Sequence, residues 1–268
     1  MKQFLSYISP DAKIGENVII DPFVTIEGNV EIGSNTWIGS NVVIMSGTRI
    51  GKNCKIFPGA VIGAIPQDLK YAGEETYVYI GDNTIIREFV TINKGTKASY
   101  KTTVGSNCLI MAYVHIAHDC QIGNYCILAN ATTLAGHVII EDYATLGGLV
   151  AVQQFTKIGA HSYIAGGSLV RKDVPPYIKV AREPLTYMGV NSIGLRRRNF
   201  TNEQIQQIQE IYRYIFLKKM NISQALEYIE REFPASKERD DIILFIRNST
   251  RGIVKGYNTS RTQNNYDI

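Results

Sequence analysis

The apolar residues of this chain recur every six positions. From Ile8 to Val170 a step of six visits 28 slots, and 25 of them hold Ile, Leu or Val. The exceptions are Asp68, Glu74 and Ala98. Neither the helical period of 3.6 nor the strand period of 2 produces this pattern. The slot two before each aliphatic residue is small or β-branched, as at Val24, Val30, Cys54, Ala60, Val114 and Ala144. The slot after it is often glycine, as at Gly15, Gly33, Gly51, Gly105 and Gly159, which suits a tight corner. Each unit therefore reads as one short strand with two inward side chains, followed by a turn. Units this short cannot bury their apolar face alone, so they must stack. Three per coil give an 18-residue triangular turn, with coils about 4.8 Å apart. The expected fold class is an all-β parallel β-helix, with loops ejected near 64–79 and 93–103. Both loops skip multiples of six, so the register returns in phase. The period does not set the handedness.

After Val170 the pattern changes. Thr201 with Gln204 resembles a capping box opening a helix near 202–219. Ser223 is expected to start a second helix and Ser236 a third, with Pro234 between them. This divides the chain into a β-helix over 1–188, a small α-helical C-terminal domain over 189–255 and a polar tail over 256–268, expected to be disordered. Charge follows the same division. Residues 1–190 carry 15 Lys+Arg and 15 Asp+Glu, so the net +4 lies entirely in the C-terminal part. A neutral body with a basic end suggests a localised acidic partner and not a general nucleic-acid surface. No run of 18 apolar residues is present, so no membrane span is expected. The N-terminus lacks the apolar core of a secretory signal. Four cysteines do not make a disulfide scaffold in a chain of this length. The expectation is a cytoplasmic protein.

Phase also sorts the candidates for chemistry. His115, His118, His137 and His161 all miss the inward slots. His161 reads as an ordinary exposed histidine. His118 differs, because Gly136 lies one coil of 18 above it and Gln154 one coil further, while Asp119 stacks with His137. An imidazole, a glycine backbone and an amide in one column offer a general base beside an N–H donor for an oxyanion. Imidazole titrates near operating pH, which suits the base role. Cys54, Cys108, Cys120 and Cys126 fall in the small inward slot, where thiols are packing residues. No acyl-enzyme and no structural disulfide are expected.

Four stretches go further. HIAHDCQIGNYCILANATTLAGH at 115–137, PQDLKYAGE at 66–74, DVPPY at 173–177 and GVNSIGLRRRNF at 189–200 resemble the UDP-N-acetylglucosamine O-acyltransferases, the family that begins lipid A synthesis. The similarity runs from about residue 8 to about 252. It implies a left-handed prism, a homotrimer with active sites between subunits, and acyl transfer from (3R)-3-hydroxyacyl carrier protein to the sugar 3-hydroxyl. It implies no cofactor beyond the carrier's phosphopantetheine. By residue, it implies His118 as general base, the Gly136 N–H as oxyanion donor and Asp119 as orienting group. It places His115, His137 and Gln154 at donor or acceptor, with Gln67, Asp68 and Lys70 in the first loop meeting substrate. Asn191, Arg197 and Arg198 would meet nucleotide phosphate or the carrier's arm, and Arg suits phosphate through its planar fork. Gly167 would leave room for the end of the acyl chain. Two positions depart from the family: Gln153 where it often has His, and Ile193 where it often has an acid. They bear on the nucleotide contacts, and an acceptor with a 3-amino group fits the same residues.

Two other classes fit less well. A zinc hydratase of the γ-carbonic-anhydrase kind needs three converging imidazoles. Only His115, His118 and His137 could supply them, and their spacing is not that family's, so no metal is expected. An ice-binding β-helix would present a regular outward Thr row, and none is present.

Overall fold

The structure, a computed structural model, describes residues 5–218 and 220–256. The tail expected over 256–268 lies outside the described residues apart from Gly256. Among the described residues three sheets of nine, eight and ten strands form, the last counting two strands beyond the hexapeptide units. These are the walls of a left-handed parallel β-helix. Pairing steps by one coil, so that Thr25 meets Val43 and Ile26 meets Ile44. Across the first ejected loop Ile50 pairs with Ile80 and Ile62 with Ile92. Across the second, Ile80 pairs with Val104 and Ile92 with Ile116. The loops therefore insert whole units, and each aliphatic side chain stays on the interior face. Ile26, Ile38, Ile44, Ile56 and Ile62 are fully buried, each contributing about 1.5–3 kcal/mol. The N-terminal coil is an end of the stack, and Ile14 there keeps 36% of its surface.

The turns differ from expectation. Of the glycines that follow the aliphatic slot, only Gly63 has positive φ. Their role is close approach between coils: a Cβ on Gly33 would lie 2.5 Å from the carbonyl carbon of Gly51. The left-handed corner lies two residues later in each unit. It is occupied by Asn17, Asn35 and Asn53 in early coils and by Tyr113, Asp119, His137 and His161 in later ones. Asn and Asp tolerate this region best. The aromatic and His corners stack vertically, which offsets the local cost.

The ejected loops are shorter than expected. The strands Tyr77–Ile80 and Lys101–Val104 pair over all four residues, leaving unpaired spans of 65–76 and 94–100. Each returning strand finds the other as its partner and zips back into the wall.

Past the prism, a hairpin of Ile178–Ala181 and Thr186–Val190 extends the third wall. The boundary expected at 188/189 falls inside its second strand. Four helices follow: α1 (Ser192–Arg196), α2 (Asn202–Phe216), α3 (Ile222–Glu232) and α4 (Lys237–Arg247). The Thr201/Gln204 capping box opens α2. Helix α3 is capped by Asn221 and not Ser223, because the Asn221 carboxamide reaches the Gln224 N–H while Gln224 returns the bond. Helix α1 and the hairpin have no periodic signal of their own. Tyr187 of the hairpin stacks on Phe216 of α2 at 4.5 Å, and the Tyr212 hydroxyl donates to the Pro176 carbonyl at 2.6 Å. These contacts dock the helices on the prism.

Candidate active site

One edge of the prism carries Asp119, His137 and Phe155 in successive left-handed corners. The corner conformation turns their side chains outward. His137 stacks on Phe155 at 4.5 Å and meets the His118 ring edge-on at 5.1 Å. His118 Nδ1 lies 2.8 Å from Asp119 Oδ2, and both side chains are buried. His137 Nε2 stands 3.7 Å from the same oxygen.

The predicted column is present. A Cβ built on Gly136 would lie 2.5 Å from His118 Cε1 and 2.6 Å from Nε2. The imidazole is thus laid against the Gly136 backbone, and only glycine fits. Along another edge, residues in the same repeat position donate their N–H to the side chain stacked above. Ser106 does so to Asn124 Oδ1 at 2.8 Å and Asn124 to Asp142 Oδ1 at 2.7 Å. The Gly136 N–H has no such partner among the described residues. It is a free donor beside a buried imidazole.

Asp119 is anchored from the second ejected loop. Its Oδ1 accepts from the Thr96 N–H at 3.0 Å and from the Ser99 hydroxyl. Its Oδ2 accepts from the Thr96 hydroxyl at 2.7 Å. Burial opposes the charged carboxylate, but the bonds from Ser99, His118 and Thr96 outweigh it and hold the pKa below the ordinary value. Burial lowers the pKa of His137; Asp119 works against that shift and His118 adds to it. His115 is also lowered by burial, and its Nδ1 lies 2.7 Å from the Thr91 hydroxyl.

The other expected residues divide. Asp68 lies near enough for its charge to act on His137. It sets its own loop by accepting from the Lys70 N–H at 2.9 Å. Gln67 and Lys70 are exposed. Gln154 is half-buried one coil above Gly136. Arg198 belongs to a different edge: it donates to the Tyr143 carbonyl at 2.9 Å and covers the Tyr143 ring at 4.7 Å. Asn191 is on that side too, capping α1 and donating to the His161 carbonyl at 2.9 Å, while Arg197 is exposed beside it. Gly167 sits on the third edge with φ +71° and open space where its Cβ would be. A single chain therefore spreads the expected site over three edges.

His161 departs from expectation. It is half-buried between Tyr143 at 4.7 Å and Tyr177 at 5.5 Å, with Phe200 against its side. Burial, helped by Arg198, drops its pKa to about 4. The sequence reading missed Thr96, Ser99 and Phe155. Phe155 was accessible through the same 18-residue arithmetic that placed His137. Thr96 and Ser99 lie in a loop outside the repeat and carried no signal.

His118, Asp119 and His137 also offer three ligand atoms within 4.8 Å of one another. A tetrahedral zinc would hold its ligand atoms about 3.3 Å apart. Here the 2.8 Å separation of His118 Nδ1 and Asp119 Oδ2 is that of a direct hydrogen bond, and the remaining Asp119 capacity is filled by the loop. This donor set fits a hydrogen-bonded dyad better than a metal. A cleft of about 680 Å³ lies elsewhere, between the prism and α4, lined by Tyr143, His161, Tyr177, Lys237 and Asp241 among others. It contains neither His118 nor Gly136, so the acyl-transfer parts lie outside it.

The prism and this edge define a class, the hexapeptide-repeat transferases. The bacterial transferase hexapeptide model matches residues 11–36, 29–64 and 101–136. The model for domain 2 of UDP N-acetylglucosamine O-acyltransferase matches 173–254. An acyl-[acyl-carrier-protein]–UDP-N-acetylglucosamine O-acyltransferase of Chlamydia abortus is 45% identical over 93% of this chain and 90% of its own length. A solved UDP-N-acetylglucosamine acyltransferase from Bacteroides fragilis superposes with a TM-score of 0.94 at 54% identity, covering 95% of this chain and all of that one. One from Francisella novicida gives 0.93 at 44%, covering 96% and 95%. The chain belongs to the UDP-N-acetylglucosamine O-acyltransferase family.

Proposed function

We propose that the protein transfers a (3R)-3-hydroxyacyl chain from acyl carrier protein to the 3-hydroxyl of UDP-N-acetylglucosamine, the first step of lipid A synthesis. Relatives over nearly the whole chain are named acyl-[acyl-carrier-protein]–UDP-N-acetylglucosamine O-acyltransferases. The observation that carries the mechanism is the His118 ring packed on the unpartnered Gly136 amide. His118 Nε2 takes the proton of the sugar hydroxyl as its oxygen attacks the thioester carbonyl. The C–O bond forms, the carbonyl oxygen becomes an oxyanion, and the Gly136 N–H donates to it. The tetrahedral intermediate collapses, the C–S bond breaks, and His118 passes the proton to the departing sulfur, so the carrier leaves as a thiol and the imidazole is neutral again. Asp119 holds Nδ1 and stabilises the imidazolium. Transfer is direct: the thiols are inside the prism, where burial pushes Cys54 to about 11 and Cys120 to about 12. No cofactor is required beyond the carrier's own phosphopantetheine.

Three features support a homotrimer with sites between copies. Arg198 and Asn191 lie on a different edge from His118, so one chain cannot bring them together. Gly167 is on the third edge. Phe23, Phe89, Tyr113 and Leu149 are exposed along that third edge, an apolar stripe that favours self-association. In such a trimer Asn191, Arg197 and Arg198 would meet the nucleotide or the acidic carrier protein, with His115, His137, Gln154, Gln67, Asp68 and Lys70 lining the opposite side. We place the reaction in the cytoplasm, where unpaired thiols stay reduced. No described helix is long and apolar enough to cross a membrane.

The test is purified protein with UDP-N-acetylglucosamine and a panel of 3-hydroxyacyl carrier proteins. Wild type should give a 3-O-acylated sugar nucleotide. His118→Ala should keep its oligomeric state and melting point while losing about two to four decades of rate. Near-normal turnover by that variant would refute the assignment.

A further inference from the structure

We propose that Thr96 and Ser99, in the second ejected loop, are positioning residues for acyl transfer: their hydroxyls saturate Asp119 so that it presents one oxygen to His118 in one orientation. The inference rests on the acyltransfer reading above.

A carboxylate offers about four acceptor sites. At Asp119 all four are taken. The Thr96 N–H and the Ser99 hydroxyl donate to Oδ1, and the Thr96 hydroxyl and His118 Nδ1 meet Oδ2. The Asp119 side chain is fully buried, so water does not substitute for any of them. An ionised carboxylate only accepts, so Nδ1 must carry the hydrogen and Nε2 must hold the free lone pair. That is the tautomer a general base needs.

The loop is itself held. The Ala98 N–H donates to the Thr96 hydroxyl at 3.2 Å, aiming that hydroxyl's own hydrogen at Asp119. Glu74 from the first ejected loop accepts from the Lys97 N–H at 3.0 Å. Thr96 and Lys97 are thus gripped from opposite sides, one by the dyad and one by the substrate loop. Behind the corner, the Asp119 N–H donates to the Thr102 hydroxyl at 2.9 Å.

Removing the hydroxyls has a definite sign. They stabilise the charged carboxylate, so their loss raises the proton affinity of the Asp119–His118 pair. The titratable groups facing Asp119 are His118 and His137, with Cys120 beside it in the chain and Asp68 acting on His137. None replaces a lost donor to Oδ1. The acid limb of the rate profile must therefore move to higher pH.

The experiment compares wild type, Thr96→Val/Ser99→Ala and Thr96→Ser. The double variant should lose about 10–100-fold in kcat, with KM for either substrate within about threefold. The acid limb of kcat/KM should rise by about one pH unit. Thr96→Ser keeps a hydroxyl and should restore both. NMR of the histidine ring nitrogens in the free protein reads the same point without turnover. Wild-type His118 should show protonated Nδ1 and bare Nε2, and the double variant should show mixed tautomers and a higher midpoint. An unmoved acid limb with an unchanged His118 tautomer would overturn the proposal, as would a Thr96→Ser variant as impaired as the double. Absence of any acyl transfer by the wild type would instead sink the acyltransfer reading, and the ring-nitrogen signals would still judge the loop.

Discussion

Replacing Gly136 by Ala adds one methyl group to the site at the position best defined by the structure. That carbon would lie 2.5 Å from His118 Cε1 and 2.6 Å from Nε2. Ordinary carbon contacts begin near about 3.5 Å, so the ring must retreat by about 1 Å. It cannot do so freely, because Nδ1 is tied to Asp119 at 2.8 Å and the His137 ring stands 5.1 Å away. The retreat either breaks that bond or swings Nε2 away from the Gly136 amide. A misplacement of about 1 Å costs about 100-fold in rate. Gly136 is not in the left-handed region, so the alanine backbone is unstrained, but the overlap with a ring tied to a buried carboxylate costs about 1–3 kcal/mol, which outweighs the gain of about 0.4–1 kcal/mol from the smaller entropy of the unfolded chain. The expected signature is turnover lowered by about two decades with a melting temperature only slightly lowered. The assay pairs initial rates on UDP-N-acetylglucosamine and 3-hydroxyacyl carrier protein with thermal melts of the same preparation. Activity within about threefold of wild type would show that the ring does not work where it rests against this backbone.

Two further outcomes follow from other edges of the prism. Gly167→Met should shift acyl preference toward shorter chains, because the open space at that Cβ would be filled; the positive φ adds strain, so selectivity and not total rate is the readout, and an unchanged chain-length ratio would discredit the measuring role. His161 is depressed to about 4 in the folded state against about 6.5 when unfolded. Between those values the unfolded chain binds the extra proton, so the stability from this ring is complete above pH 6.5 and falls as pH drops toward 4. Allowing for its partial exposure, the loss is about 1–2 kcal/mol. His161→Phe continues the stack and should melt with less pH dependence over that window; identical slopes for both proteins would reject the assignment.

The prism was legible because its cause is local and repeated. One aliphatic side chain every six residues leaves a stacked triangular coil as the way to bury them all, and whole-unit loops cannot disturb the phase. The same arithmetic placed His118 under Gly136 and Asp119 beneath His137. It misjudged the corners. Glycine at Gly33 answers contact between coils, a property of two coils at once, while the left-handed turn falls on Asn, Tyr and His. It misread His161 because the rings of Tyr143 and Tyr177 come from coils above and below, and Phe200 from beyond the repeats. The Asn221 cap was missed because Ser223 is an equally good cap on paper, and only the docked helix shows which side chain reaches the free N–H.

The sequence alone determined the coil, its register through both insertions, the buried identity of the thiols, and which imidazole shares a column with a glycine. Only the tertiary structure decided how Asp119 is held, because Thr96 and Ser99 sit outside the repeat and meet it through loop closure. It also decided that the arginines lie on a different edge from the dyad. A period relates residues stacked along one edge and is silent about side chains that arrive from elsewhere in the chain.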